Sequence, residues 1–498
     1  MSSIQAATTR HSAMSRALAR DRLGIPAVLA FVLAGVAPLT VSAGLIPTAY
    51  GVTGLTAIPA AFIVIAIILA VFATGYMAMS RHLTNAGAFY AFVTAGLGRP
   101  AGVAAALIAL LSYSCLQIAL YGMLGPQAAS MAAAHLGVHG PWWVFALGAW
   151  AIVALLGLLR VDITGKVLGA LTAVEIIVII GLTVSGVTHP AGGHLSFATL
   201  SPTALTASGL GTAGVLGVIA VLGFSGFEQA PVLAEESRRP RRTIPVTTYT
   251  ALALIGLVYA GSAWAMAAHA GTAHVVAAAD AQGPGLMFGL GSSALSLTAQ
   301  WLFITSLFAA ALAFHNAVWR YAFALGREGV LPGALGQTGA NSIPKAASLA
   351  QSGTALAIIA IFAVFRWPPV TGLFFGGGTT GGFGILILLA LTSVAVIAYF
   401  WRDTRREPVW SRLIAPALAA ILLTGLAVLA IQHYGTLLGV PARSPATWAL
   451  PGAFAVAAVL GLTWALILRR HRPEVYHAIG LGAYAVTGQP AASRQVPR

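Results

Sequence analysis

The chain has 498 residues, of which 58% are hydrophobic and only 7% charged, and its mean hydropathy is +0.89. A soluble protein carries roughly 25% charged residues, so a water-soluble globular domain is excluded and an all-α polytopic membrane protein is expected. The formal net charge of +15 does not point to nucleic acid, because no basic stretch is interleaved with aromatics on a polar domain.

Each span needs about 20 apolar residues, and the sequence offers twelve such runs. Residues 1–23 form a polar tail with Arg10, Arg16, Arg20 and Arg22, read as a cytoplasmic tail because the apolar run that follows lacks a small-residue cleavage site. The first span, about Gly24 to Tyr50, carries Pro38 with Thr40, Val41, Ser42, Ala43 and Gly44 at its middle. Proline removes a donor and clashes with the preceding turn, so this helix is expected to be broken.

The second span covers roughly Leu55 to Met79, and the third, about Ala101 to Leu124, holds Tyr113, Gln117 and Tyr121 at a spacing of four, on one helical face. Its Cys115 is the only cysteine, which excludes an intramolecular disulfide and a cysteine-based metal site. Spans four and five, about Trp143 to Leu159 and Gly165 to Val187, flank the short turn Arg160-Val-Asp162. An outer loop, 188–210, leads into the stretch Gly214 to Pro245. That stretch begins as an apolar helix and is interrupted by Gly223-Phe224-Ser225-Gly226; Phe227 and Glu228 follow, and it ends in a basic cluster, Arg238, Arg239, Arg241 and Arg242. Backbone freed at membrane depth must face protein, water or a ligand, so a mid-depth break marks a binding site; glycine in such helices also serves packing.

Spans seven to ten are expected near Thr247 to Ala268, Leu295 to Leu325, Ala346 to Phe365 and Leu373 to Phe400. The run Gly376-Gly-Gly-Thr379-Thr-Gly-Gly382 in span ten permits either bending or close packing. Spans eleven and twelve, near Ile414 to Ile431 and Thr447 to Leu468, stand outside a repeat. One break lies in the first of five spans and the other in the first of the next five, and five is odd. The two units, 24–187 and 211–400, therefore insert with opposite orientation, giving a five-plus-five inverted repeat with broken helices 1 and 6. Residues 401–470 add two helices, and 471–498 form a second cytoplasmic tail. Of 26 basic residues only Arg366 and Arg443 fall on outer loops, leaving 24 on the inner side, as the positive-inside rule requires for both termini inside.

Two of the eleven acidic residues, Glu175 and Glu228, are placed within the apolar slab; Glu235 and Glu236 lie near its inner edge. A carboxyl at that depth is costly, around 3 kcal/mol on insertion scales, and is a functional hypothesis by default. Both are candidates for proton coupling. For Glu175 the structural alternative is a hydrogen-bonded packing carboxyl; for Glu228 it is a charge offsetting the dipole of the second half-helix. Half-helix ends supply donors for a carboxylate near Ser42-Ala43-Gly44 and acceptors for an ammonium near Val41 and Gly223 to Ser225. Phe224 and Phe227 are candidate covers, with plain packing as the alternative, and Tyr113 and Gln117 are candidate pocket residues. His315 is read as a packing histidine, and His135 and His139 lack further metal-ligand types.

Three blocks carry a family resemblance. Phe227-Glu228 through Leu233-Ala-Glu235-Glu236-Ser-Arg-Arg-Pro240 to Pro245, Asn85-Ala-Gly87-Ala-Phe-Tyr90, and Phe314-His315-Asn316 through Arg327-Glu-Gly329 together resemble the amino acid-polyamine-organocation (APC) superfamily of permeases. The resemblance implies substrate held between broken helices 1 and 6, and alternating access driven by a proton, a sodium ion or an exchanged solute. Many relatives carry Gly-Ala-Gly-Ile at the first break, where this chain reads Ala37-Pro38-Leu-Thr40-Val-Ser42-Ala-Gly44. Several proton-coupled relatives carry a lysine at the place of Glu175; an acid there reverses the charge logic.

No His-Glu-x-x-His, Gly-x-Ser-x-Gly or Walker A motif occurs, so a membrane enzyme or an ATP-hydrolysing chain is not expected. The expectation is a plasma-membrane secondary transporter of amino acids, proton-coupled and without a cofactor or metal. The alternatives are an organic-amine or polyamine permease and an amino acid exchanger.

Overall fold

The computed structural model describes residues 23–83, 88–159, 161–205, 210–338, 343–438, 440–441 and 443–482. The arginines of residues 1–22, the Asn85-Ala-Gly87 part of the second block, Arg160 and the tail beyond 482 lie outside the described residues. No strand occurs among those described; a single isolated bridge joins Leu23 to Ser237.

Among the described residues, ten helices are long and apolar enough to cross a membrane, beginning with Ile25–Gly51, and two shorter apolar helices, Trp142–Leu156 and Val215–Pro231, accompany them. In chain order, α1 (Ile25–Val36) is followed by a π-helical turn over Thr40–Leu45 and by α2 (Ile46–Thr53). Then come α3 (Ile58–Ser80), the short α4 (Ala88–Leu97), α5 (Arg99–Leu136), α6 (Trp142–Leu156) and α7 (Val161–Thr188). Helix α8 (Leu210–Phe224) gives way to a 3₁₀ helix over Phe227–Glu236, and α9 (Pro240–Ala270) follows. The rest includes α10 (Val275–Gln282), α11 (Ser293–Arg327), α12 (Lys345–Val364), α13 (Gly377–Arg402), α14 (Ala415–Gln432), α15 (Ala446–His471) and α16 (Pro473–Ala478). A π-helical segment, Pro369–Gly376, leads into α13.

Helix α5 is the central post, packed against α11, α13, α15 and α6, while α3 lies against α9 and α14. Glycines in α13 permit its approach to α5: a Cβ on Gly381 would sit 2.8 Å from the Ser112 carbonyl oxygen. Gly381 thus serves close packing, whereas Gly376 lies in the π-helical segment that leads into α13. Among the described residues between α7 and α8 the chain forms three short 3₁₀ turns, fastened where Trp264 Nε1 donates to the Ser196 carbonyl (2.9 Å) and Phe197 stacks on Trp264.

The end of the bundle that carries Leu23 and the Arg238–Arg242 cluster is cross-braced. Buried Arg320 donates to Glu236 (2.7 Å) and lies over the Trp319 ring. Arg81 and His82, after α3, both reach Glu407, between α13 and α14. The Glu328 carboxylate accepts from Tyr90 on α4 and from the N–H groups of Gly480 and Gly482, so the segment after α16 is drawn over α4 and the end of α11. Two of these braces, Arg320 with Glu236 and Tyr90 with Glu328, each join two of the three sequence blocks quoted above.

Candidate functional site: a cavity between two helix interruptions

Proline has no N–H and excludes the helical region for the residue before it. With Pro38 in place, Ala37 takes φ 51°, α1 stops at Val36, and the chain re-enters as a π-helical turn over Thr40–Leu45. Single π turns inside α-helices accompany functional sites. The interruption falls on the Pro38 to Gly44 stretch where the sequence places it, and the Val41 carbonyl, expected as an open acceptor, is taken by the N–H of Ile46.

The second interruption follows Phe224. Gly226 adopts φ 118°, a conformation suited to glycine, and a Cβ there would lie 2.8 to 3.0 Å from the backbone of Gly35 and Val36. The two interruptions thus touch backbone to backbone. Beside them, buried Gln229 has neither amide atom hydrogen-bonded among the described residues, and it packs on Gly35.

A cavity of about 110 Å³ opens at this crossing. Gly35, Val36, Ala37, Thr40, Val41 and Leu45 line it from the first interruption, and Leu222 and Ser225 from the second. Leu116, Ala119 and Leu120 of α5, Ala310 and Phe314 of α11, and Phe374, Phe375, Gly378 and Thr379 at the start of α13 complete the wall. Of the residues singled out from sequence, Thr40, Val41 and Ser225 line the cavity. Pro38, Ser42, Ala43, Gly44, Gly223 and Gly226 shape the two interruptions around it. Phe224 packs with Phe62 and Tyr259, and Phe227 with Phe72, away from the cavity wall.

Two buried carboxylates attend the interruptions. Glu175, from α7, accepts from the Ser306 hydroxyl and the Leu39 N–H. Ser306 in turn accepts from the Thr40 N–H (3.2 Å) and the Thr40 hydroxyl (3.1 Å), so one hydroxyl separates Glu175 from a cavity-lining residue. Glu175 Oε1 has no hydrogen-bond partner among the described residues. Glu228 has both oxygens engaged: Oε1 accepts from Tyr113 (2.9 Å) and Oε2 from the Gly226 N–H (2.8 Å). Tyr113 stands behind the wall, its ring 6.0 Å from that of Phe314. Gln117 is drawn the other way, accepting from Gln351 Nε2 (2.9 Å) and donating to Tyr121.

His315 contacts Ser348 (2.9 Å) against the backbone of Gly157, and no cluster of metal-ligating side chains occurs among the described residues. Outside the spans, burial pushes the Glu328 carboxyl up against the pull of its hydrogen bonds. Burial would also raise Glu407, but Arg81 and His82 outweigh it and hold this carboxyl below its ordinary range.

Of the other cavity residues, Gly378 and Thr379 fall in the glycine run and Phe314 in the third block, whereas Leu116, Ala119, Leu120, Ala310, Phe374 and Phe375 were not singled out from sequence. One signal was there: Phe374-Phe375 immediately precedes the glycine run, and Leu116 and Leu120 flank Gln117.

The sequence profile of the amino acid permease family matches residues 27–476. The low-affinity putrescine importer PlaP of Escherichia coli strain K12 is 25% identical over 375 residues, covering 73% of this chain and 75% of that protein. The PlaP of Escherichia coli O157:H7 matches to the same extent.

Proposed function

We propose, since this chain belongs to the amino acid permease family, that it is a proton-coupled secondary transporter carrying an amino acid through the cavity between its two helix interruptions. The family is one of multi-pass membrane transporters, not of enzymes. The twelve-span layout with a five-plus-five inverted repeat, and a plasma-membrane orientation with the braced, arginine-bearing end and both termini in the cytoplasm, complete the proposal. The positive-inside distribution of lysine and arginine supports that orientation.

The observation that carries the choice of cargo is the cavity lining, which contains no ionisable side chain. A diamine such as the cargo named for the relative in Escherichia coli brings two ammonium groups, and neither Glu175 nor Glu228 lines the wall to meet them. Unpaired charges in an apolar cavity are strongly disfavoured. A zwitterionic head is better suited: its opposite charges lie close together and partly offset each other, and its ammonium can donate to the hydroxyl oxygens of Thr40 and Ser225.

Glu175 is the proposed coupling residue. It has an oxygen free to take a proton and reaches the first interruption through Ser306 and the Leu39 N–H. Protonation removes a charge whose hydrogen bonds hold that interruption, so it changes how firmly α1 is tied to α7 and α11. The test is uptake into proteoliposomes across a pH series. Wild type is expected to respond to an imposed proton gradient, and Glu175→Gln to transport without that response. An unchanged response in the variant overturns the assignment, and a requirement for sodium would move the coupling to that ion.

A further inference from the structure

We infer, on the reading that the cargo is an amino acid, that this cavity selects a neutral amino acid with a large aliphatic side chain of the leucine and isoleucine class. The preference is set by Leu116, Leu120, Phe314, Phe374 and Phe375. The lining is divided. Its polar side chains are Thr40 and Ser225, at the two interruptions, and Thr379; each hydroxyl already donates, to Ser306 (3.1 Å), the Val221 carbonyl (3.4 Å) and the Leu437 carbonyl (3.3 Å), so what each offers a cargo is an acceptor oxygen. Everything α5 and α11 present is apolar, as are the two phenylalanines before α13. A bound molecule therefore meets a polar pole at one side and hydrocarbon at the other, which matches a small charged head with an apolar body. Side chains ending in a carboxylate, ammonium or guanidinium would place a charge against that hydrocarbon without a partner.

Size narrows the class further. An apolar cavity of about 150 Å³ takes up a benzene-sized group, so the cavity of about 110 Å³ matches a side chain of about four carbons, that of leucine or isoleucine, with the head against the interruptions. Glycine and alanine leave apolar wall uncovered, and tryptophan exceeds the space.

The wall is also held in place. Phe314 is backed by the ring of Tyr113, which is fixed by its hydrogen bond to Glu228. Phe374 and Phe375 pack edge to face with centroids 5.1 Å apart. A supported wall resists collapse around a small cargo, so each missing methylene is expected to lower affinity by roughly tenfold or more.

The experiment is competition for leucine uptake in proteoliposomes, with isoleucine, methionine, alanine, glycine, lysine and putrescine as competitors. Isoleucine is expected to compete at concentrations about 100-fold or more below those needed for alanine or glycine, by the same per-methylene factor. A pair of substitutions at one position then tests the wall. Leu120→Phe fills the cavity and is expected to shift the leucine-to-alanine preference at least about tenfold toward alanine. Leu120→Ala enlarges it and is expected to shift preference toward phenylalanine. Each preference is a ratio within one preparation, so it is insensitive to how much protein folds.

Alanine competing as well as isoleucine, or ratios unmoved in both variants, overturns the size inference while leaving amino acid transport standing. Uptake of putrescine with no amino acid taken up or competing overturns the reading beneath it as well.

Discussion

The two helix interruptions use the same side chain in opposite ways. At the first, the carboxylate arrives from a different helix, α7, and leaves one oxygen of Glu175 unpartnered. At the second, Glu228 belongs to the interrupted segment itself, and both its oxygens are occupied, by Tyr113 and by the Gly226 N–H. A fully satisfied buried group is costly to disturb, whereas a partly satisfied one has less to lose. The contrast teaches that depth alone does not identify a coupling carboxylate; the count of its partners separates the group that holds a shape from the group that can change state.

The most severe way to break this contrast is Gly226→Ala, which strikes the contact both interruptions share. The added Cβ meets the Gly35 backbone and demands a strained φ, so a loss of about 3 kcal/mol or more is expected, from backbone strain and overpacking together. Thermal unfolding of the purified variant in detergent measures it, and wild-type stability would mean that the two interruptions do not bear on each other. The sharper comparison is one substitution made at two places. Glu228→Gln turns an amide N–H₂ toward a group that already donates, at an expected cost of about 1–3 kcal/mol. Glu175→Gln keeps its carbonyl oxygen toward Ser306 and the Leu39 N–H and removes a buried charge, which offsets part of the cost of an N–H₂ facing the side without an acceptor, so a smaller loss of about 1 kcal/mol is expected. Equal destabilisation of the two variants would erase the distinction.

The smallest effect is expected away from both interruptions, at the brace between Arg81 and Glu407. Its Arg81 side chain is 39% exposed, and exposed pairs contribute no more than about 1 kcal/mol. Because the folded-state carboxyl of Glu407 is held below its ordinary range, its contribution is complete at neutral pH. It is lost only as pH falls through that lowered value. Glu407→Gln should therefore lower the unfolding temperature slightly at pH 7 and make no difference in strong acid. A penalty that persists in acid would show that Glu407 acts through packing rather than charge.

Much of the architecture could be read directly from the chain. Apolar runs of bilayer length identify themselves, and Gly223-Phe-Ser-Gly226 and Pro38 announce interruptions because glycine and proline act locally on the backbone. The cavity wall was not legible in the same way. Leu116, Ala310 and Phe374 become neighbours only when three helices far apart in sequence pack together, and nothing local distinguishes them from lipid-facing residues. The face of α5 inferred from Tyr113, Gln117 and Tyr121 is a real periodicity, but α5 is surrounded, and different turns of that face meet Glu228 and Gln351. The blocks carrying the family resemblance supply braces at the arginine-bearing end, through Arg320 with Glu236 and Tyr90 with Glu328. They speak to how the bundle is held, and reach the site through Glu228 and Phe314.

The bridge between Leu23 and Ser237 has a consequence for how such a chain can vary over generations. Leu23 N–H donates to the Glu236 carbonyl (3.0 Å), and Arg238 N–H donates to the Leu23 carbonyl (2.9 Å), so this fastening is made wholly of main chain. These two hydrogen bonds do not depend on side-chain identity, and only an imino acid at 23 or 238 would delete one of the two donors. A lineage can thus alter its cargo pocket residue by residue while inheriting this stitch unchanged.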